Sequence, residues 1–132
     1  MKNRNLAIAC VHMAVAIILG ALGAHKLKEL LSPEKLASFH TGVEYHIYHA
    51  IALLIINSSG YFDRVKGLNT INLLFNLGIL FFSVSIYLLS TIEISGMEAL
   101  KMLGPVTPLG GLLFIIGWIF LAIRLFSMKT SD

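Results

Sequence analysis

The sequence predicts an all-α integral membrane protein, a four-helix bundle with antiparallel neighbours and short interfacial helical segments. Three observations carry this. Four apolar stretches, at about residues 6–24, 42–59, 70–90 and 108–126, fill most of the 132-residue chain. A hydrocarbon core of about 30 Å needs roughly 20 helical residues at about 1.5 Å each, and the second stretch reaches that length once residues from His40 onward join it. Composition is 57% hydrophobic and 13% charged, against roughly a quarter charged in soluble domains. A soluble chain of this size has too little interior to hide four apolar helices, so lipid must solvate much of the surface. The stretches are joined by short polar links, as adjacent antiparallel helices require.

Each element has its own warrant. Lys2 and Arg4 precede the first run, which ends in Ala21-Leu22-Gly23, a small-x-small pattern like a secretory cleavage site. At 19 residues, Leu6–Ala24 exceeds the roughly 7–15 of a signal-peptide core, so it is expected to persist as helix one, with the mature chain starting at or near Met1. Helix one ends near His25, and Lys26–Leu31 is expected to lie in the interface, leucines toward the hydrocarbon. Ser32-Pro33-Glu34 reads as a helix start: Ser32 as N-cap, Pro33 where its missing N–H is harmless, Glu34 near the positive dipole end. From there the pattern runs unbroken to Ser58, about 39 Å of helix, so its first two turns should project from the hydrocarbon. Asn57-Ser58-Ser59-Gly60 ends it. Helix three runs from about Asn69 to Ser90. The loop Thr91–Val106 has room for a short interfacial helix, Thr107-Pro108 opens helix four, and Arg124 and Lys129 mark its exit. Lacking repeats or a linker, residues 1–132 form one four-span domain.

Charge sets orientation and excludes partners. Four spans put Lys2, Arg4, Arg64, Lys66, Arg124 and Lys129 on one side, and Lys26, Lys28, Lys35 and Lys101 on the other. Six against four favours N-in and C-in, in the inner (cytoplasmic) membrane. The net charge of +3 is scattered over span ends with no basic patch interleaved with aromatics, so nucleic-acid binding has no support. Cys10 is the single cysteine, and no internal disulfide can form. With no CxxC, P-loop, GxGxxG or HExxH, no catalytic residue is assigned and no cofactor is expected. The expected partners are the lipid bilayer, together with a membrane-protein partner or a second copy of the chain.

Three groups of residues stand out beyond packing apolar surface. On helix three, Asn72, Asn76, Ser83, Tyr87 and Ser90 fall within roughly 60° of one another at about 100° per residue. In lipid such a stripe must face other helices; it reads as interhelical glue or, alternatively, as a hydrated path for a solute or ion. Gly20 and Ala24 on helix one, and Gly110 and Gly117 on helix four, are small residues at spacings that let helices approach closely. The third group is a polar cluster at the outer end of helix two: His25, His40, Glu44, His46 and His49. Its spacings suit a solvated headgroup pair, a hydrogen-bonded cluster fixing helix one to helix two, or a metal or proton site. Depth along antiparallel spans puts His12 near the inner third and His46 and His49 near the outer third, so His12 reads as a helix-contact residue and no haem is expected between them.

Several of these residues form an ordered set of motifs. Gly20-Ala21-Leu22-Gly23-Ala24-His25, Thr41-Gly42-Val43-Glu44-Tyr45-His46-Ile47-Tyr48-His49-Ala50, Gly78 through Phe81-Phe82-Ser83 to Tyr87, and Thr107-Pro108-Leu109-Gly110-Gly111 with Gly117-Trp118 follow one another. Across the whole chain the sequence resembles the domain-of-unknown-function 423 family of small bacterial membrane proteins, similar to the eukaryotic transmembrane protein 256. The resemblance implies four spans and brings no catalytic residue, ligand or activity to any position. Val84 departs from the glycine that the family pattern leads one to expect. The function expected is therefore structural, assembly or regulatory, through partner or lipid contacts. A solute or ion transporter or channel component using the helix-three stripe is the alternative, and a metal- or proton-binding protein using the His/Glu cluster is third.

Overall fold

A computed structural model describes residues 2–128. Helix α1, Lys2–Leu22, continues through a π turn at Gly23–Leu27 and a last turn at Lys28–Leu30. Helix α2 spans Pro33–Ser58, helix α3 spans Leu68–Ser90 with a π turn at Ile79–Val84, and helix α4 spans Val106–Phe126. A 3-10 turn at Gly60–Arg64 joins α2 to α3, and short helical pieces at Ile92–Ser95 and Glu98–Leu103 join α3 to α4. The described residues contain no strand.

Three of the helical runs, Lys2–Leu30, Leu68–Ser90 and Glu98–Phe126, are long and apolar enough to cross a membrane. Helix α2 has 26 residues but is not among them, because His40, Glu44, His46, His49 and Asn57 interrupt its apolar pattern. Of the four apolar stretches expected to cross the bilayer, three are therefore long and apolar enough as helices, and the second is not. Burial gives the reason: α2 buries Phe39, Val43, His46, His49, Leu53, Ile56 and Asn57, whereas α4 buries only Gly110, Phe114, Gly117 and Leu121.

Antiparallel packing sets the register. Helix α1 packs along α2, and α3 packs against both α2 and α4. Lys2 Nζ meets Asp63 Oδ2 at 2.8 Å, fixing the end of the molecule that also carries Arg64, Lys66 and Arg124 (the near end). At the far end, Glu93 accepts hydrogen bonds from the Ser32 backbone N–H and hydroxyl, both at 3.2 Å. Ser32 is the N-cap of α2 as expected, yet its side chain does not close the helix; the loop carboxylate has claimed it. Likewise Thr107 lies inside the first turn of α4, and its hydroxyl bonds Ser85 Oγ at 2.6 Å instead of capping.

Small residues decide how closely the helices meet. A Cβ on Gly110 would overlap the backbone of Phe81 and Phe82, and one on Gly117 would lie 2.7 Å from the Phe75 ring. Gly78 similarly makes room for the Phe114 ring. Gly20 faces Val43, at 3.3 Å from an added Cβ. Ala24 does not join this set. The π turn rotates it to the surface and brings Gly23 against Phe39 and His40 instead.

Candidate functional site

The polar side chains of α3 find partners on α1 and α2. Asn72 and Asn57 form a reciprocal amide pair, with Nδ2···Oδ1 distances of 2.6 and 3.2 Å, and Asn5 Nδ2 donates to Asn57 Oδ1 at 3.3 Å. The remaining amide hydrogens go to backbone carbonyls one turn earlier, Asn57 to Leu53 and Asn72 to Leu68. Three helices are thereby tied together at the near end through two buried asparagines.

Toward mid-molecule a second chain begins. Asn76 Nδ2 donates to the Asn72 carbonyl at 2.6 Å, which leaves Oδ1 facing His12 Nε2 at 2.9 Å. That oxygen only accepts, so His12 carries its proton on Nε2, and its Nδ1 accepts from His46 Nε2 at 3.0 Å. His46 Nδ1 is then the acceptor for the Tyr87 hydroxyl at 3.1 Å. One polarity satisfies every bond: Tyr87 donates to His46, His46 to His12, and His12 to Asn76. An asparagine oxygen ends the chain, so it has no side-chain route by which to hand a proton onward. Such interhelical bonds contribute about 0.6 kcal/mol each on average in membranes, more where the alternative is an unpaired buried group.

His49 is held differently. Trp118 Nε1, a donor only, reaches His49 Nε2 at 3.1 Å, so the other nitrogen carries the hydrogen and donates to the Tyr45 carbonyl at 2.8 Å. The imidazole stacks on Phe114, ring centroids 3.4 Å apart. Both nitrogens are engaged, and the ring joins α2 to α4. Beside it, Tyr45, Phe82, Phe114 and Trp118 wall an apolar groove.

The five residues of the expected outer cluster are therefore divided. His46 and His49 are buried on the helix-facing side of α2, His40 is half-buried, and Glu44 and His25 are exposed. No hydrogen bond joins any two of the five, and among the described residues no group of three or more His, Cys, Asp or Glu is placed to hold a metal ion. The cause is the helical angle: Glu44 and His46 lie about 160° apart, on nearly opposite faces of α2, too far round the helix to share one site.

The stripe residues Asn72, Ser83, Tyr87 and Ser90 are buried and Asn76 is half-buried. Ser83 Oγ has no hydrogen-bond partner among the described residues. Sequence reasoning missed His12 as the partner of His46 because it measured depth from Leu6. The helix begins at Lys2, and matching Lys2 with Asp63 and Asn5 with Asn57 slides His12 to the level of His46. Asn57 and Trp118 were likewise overlooked, the first read as a helix terminator and the second only as part of a motif.

Comparison with known proteins follows the same outline. The family model described as "Protein of unknown function (DUF423)" matches residues 19–111. The UPF0382 membrane protein YwdK of Bacillus subtilis (strain 168) is 37% identical over 119 residues, covering 88% of this chain and 90% of that protein. A UPF0382 membrane protein of Haemophilus influenzae is 37% identical over 131 residues, 98% of this chain and 99% of its own length. The UPF0382 membrane protein SAB0533 of Staphylococcus aureus (strain bovine RF122 / ET3-1) is 38% identical over 124 residues, 90% and 92% of the two chains. No solved structure matches the chain. With most of its length matched both to the family model and to these relatives, the chain belongs to the DUF423 family of membrane proteins.

Proposed function

We propose that the protein is a four-span bundle of the cytoplasmic membrane with both termini inside, and that its role is structural, in assembly or in regulation, exercised through lipid or partner contacts. The observation that carries this is the use of the α3 stripe: Asn72, Asn76 and Tyr87 are bonded to Asn57, His12 and His46 of neighbouring helices. Groups paired in this way serve as glue, and a hydrated path along α3 would have to break them. Outward, α1 and α4 present Val11, Ile17, Ile18, Leu109, Ile115 and Ile119, which suit lipid or another apolar helix. Orientation has further support at the near end, where Lys2, Arg4, Arg64, Lys66 and Arg124 stand against the single acid Asp63 among described residues. A reporter fused after Asp132 that is active only in the cytoplasm should give signal, and one active only outside should be silent. The reverse pattern would overturn the topology.

A further inference from the structure

At the near end, Arg64 and Lys66 of the α2–α3 link and Arg124 of α4 line one recess of about 350 Å³ with Ser127 and Met128. No acid lines it. The neighbouring carboxylate, Asp63, is bound to Lys2 at 2.8 Å, and among the described residues none of the three cations has a carboxylate within ion-pair distance. Arg124 Nε is buried without a hydrogen-bond partner among those residues, while its guanidinium lies 4.7 Å over the Phe120 ring. Gly67 brings the start of α3 to the same place. Its φ of 85° turns the chain, and a Cβ there would stand 3.1 Å from Phe120. No side chain caps that helix start, so its positive dipole end adds to the three charges.

Each feature calls for the same occupant. A buried guanidinium N–H without a partner is costly, and a planar donor fork beside two further cations matches the oxygens of a phosphate. Lipid is the source the surroundings favour. On the adjoining face of α4, Ile116, Ile119 and Ile123 are exposed in a line leading from the recess toward mid-helix, a bed for acyl chains. We propose that Arg64, Lys66 and Arg124 bind the phosphate group of an anionic membrane lipid. The site rests on the four-span reading, which places this end at the headgroup level; the reporter fusions test that reading independently, so failure of lipid binding leaves it standing.

The full chain, purified in neutral detergent, is titrated with phosphatidylglycerol, phosphatidylcholine and inorganic phosphate, with bound molecules counted by native mass spectrometry. Phosphatidylglycerol should bind more tightly than phosphatidylcholine, and more tightly than phosphate alone. At roughly 1 kcal/mol per cation near an anionic surface, Arg64→Gln or Lys66→Gln should weaken its binding about fivefold, and the triple variant with Arg124→Gln on the order of a hundredfold. Arg4→Gln removes a charge from the same end but outside the recess and should change little. Equal losses in Arg4→Gln and Arg64→Gln would replace the site by a diffuse field. Equal binding of the two lipids, or binding of free phosphate with no preference for the anionic lipid, would overturn the lipid assignment. The exposed Arg64 and Lys66 keep the test valid should Arg124→Gln fail to fold.

Discussion

Helices α2 and α4 make opposite use of similar lengths of chain. Helix α4 is among the most apolar segments, yet leaves Leu109, Leu112, Ile115, Ile116, Ile119 and Ile123 exposed. Helix α2, broken by histidines and an asparagine, lies under its neighbours and buries His46 and Asn57 almost completely. In water the apolar helix would be the inner one. With lipid as solvent, apolar surface gains nothing by hiding, and polar groups must find partners inside the protein. Polarity thus marks the centre of this fold, and the two helices differ in what chiefly holds them: for α4, close approach at Gly110 and Gly117, with one hydrogen bond each from Thr107 and Trp118; for α2, a series of interhelical hydrogen bonds.

The sharpest way to break that contrast is to spoil the shape of α4. Gly110→Ala places a methyl group into the Phe81–Phe82 backbone, which cannot yield as a side-chain tip can. We expect a loss of about 3 kcal/mol, at the top of the range for overpacking. Gly111→Ala, one residue on, would put its Cβ 3.6 Å from the Phe82 ring, an ordinary contact, and should be nearly neutral. Reversible unfolding in detergent reads both. Helix propensity alone would make both changes slightly stabilising, so equal losses at the two positions would mean that the close approach at Gly110 is not what sets the cost.

Next in size is the hydrogen-bond chain of α2. His46→Leu keeps an apolar volume but leaves His12 Nδ1 and the Tyr87 hydroxyl without their partner. A loss of about 2 kcal/mol is expected, and His12→Leu added to it should cost less than the single change does alone. Ile119→Ala on the exposed face of α4 should stay within about 0.5 kcal/mol. A larger effect of the isoleucine than of the histidine, in the same unfolding series, would reverse the comparison between the two helices.

Much of this organisation was legible in the sequence. Pro33 to Ser58, bounded by a Ser-Pro start and an Asn-Ser-Ser-Gly stop, is the observed α2, because both signals act through local backbone chemistry. The stripe on α3 was readable as well, since side chains one or two turns apart share a face whatever surrounds them. What remained hidden depends on register between helices. The His12–His46 contact follows only once Lys2 is matched with Asp63, and no local pattern states that match. The π turns were equally out of reach: the one at Gly23–Leu27 exchanges Ala24 for Gly23 at the contact with Phe39, a one-residue slip that regular periodicity cannot show. The division of the expected cluster is different in kind: the wide angle between Glu44 and the His46–His49 pair follows from helical spacing alone, and only the partners on other helices that His46 and His49 take up were out of reach.

The smallest expected effect tests that last separation. His25 and Glu44 were expected to meet if a hydrogen-bonded cluster fixed helix one to helix two, and each is instead exposed without a bond to the other. Exposed polar side chains without a shared partner contribute little to stability, and distant substitutions add. His25→Ala and Glu44→Ala should therefore each lie within about 0.5 kcal/mol of the parent, and the double variant should equal their sum to within about 0.5 kcal/mol. His46→Leu provides the contrast on the same helix, two residues from Glu44 but on the buried side. A coupling of about 1 kcal/mol or more between His25 and Glu44 would show that the two residues meet, and that the Pro33 end of α2 holds the helices together as firmly as its centre.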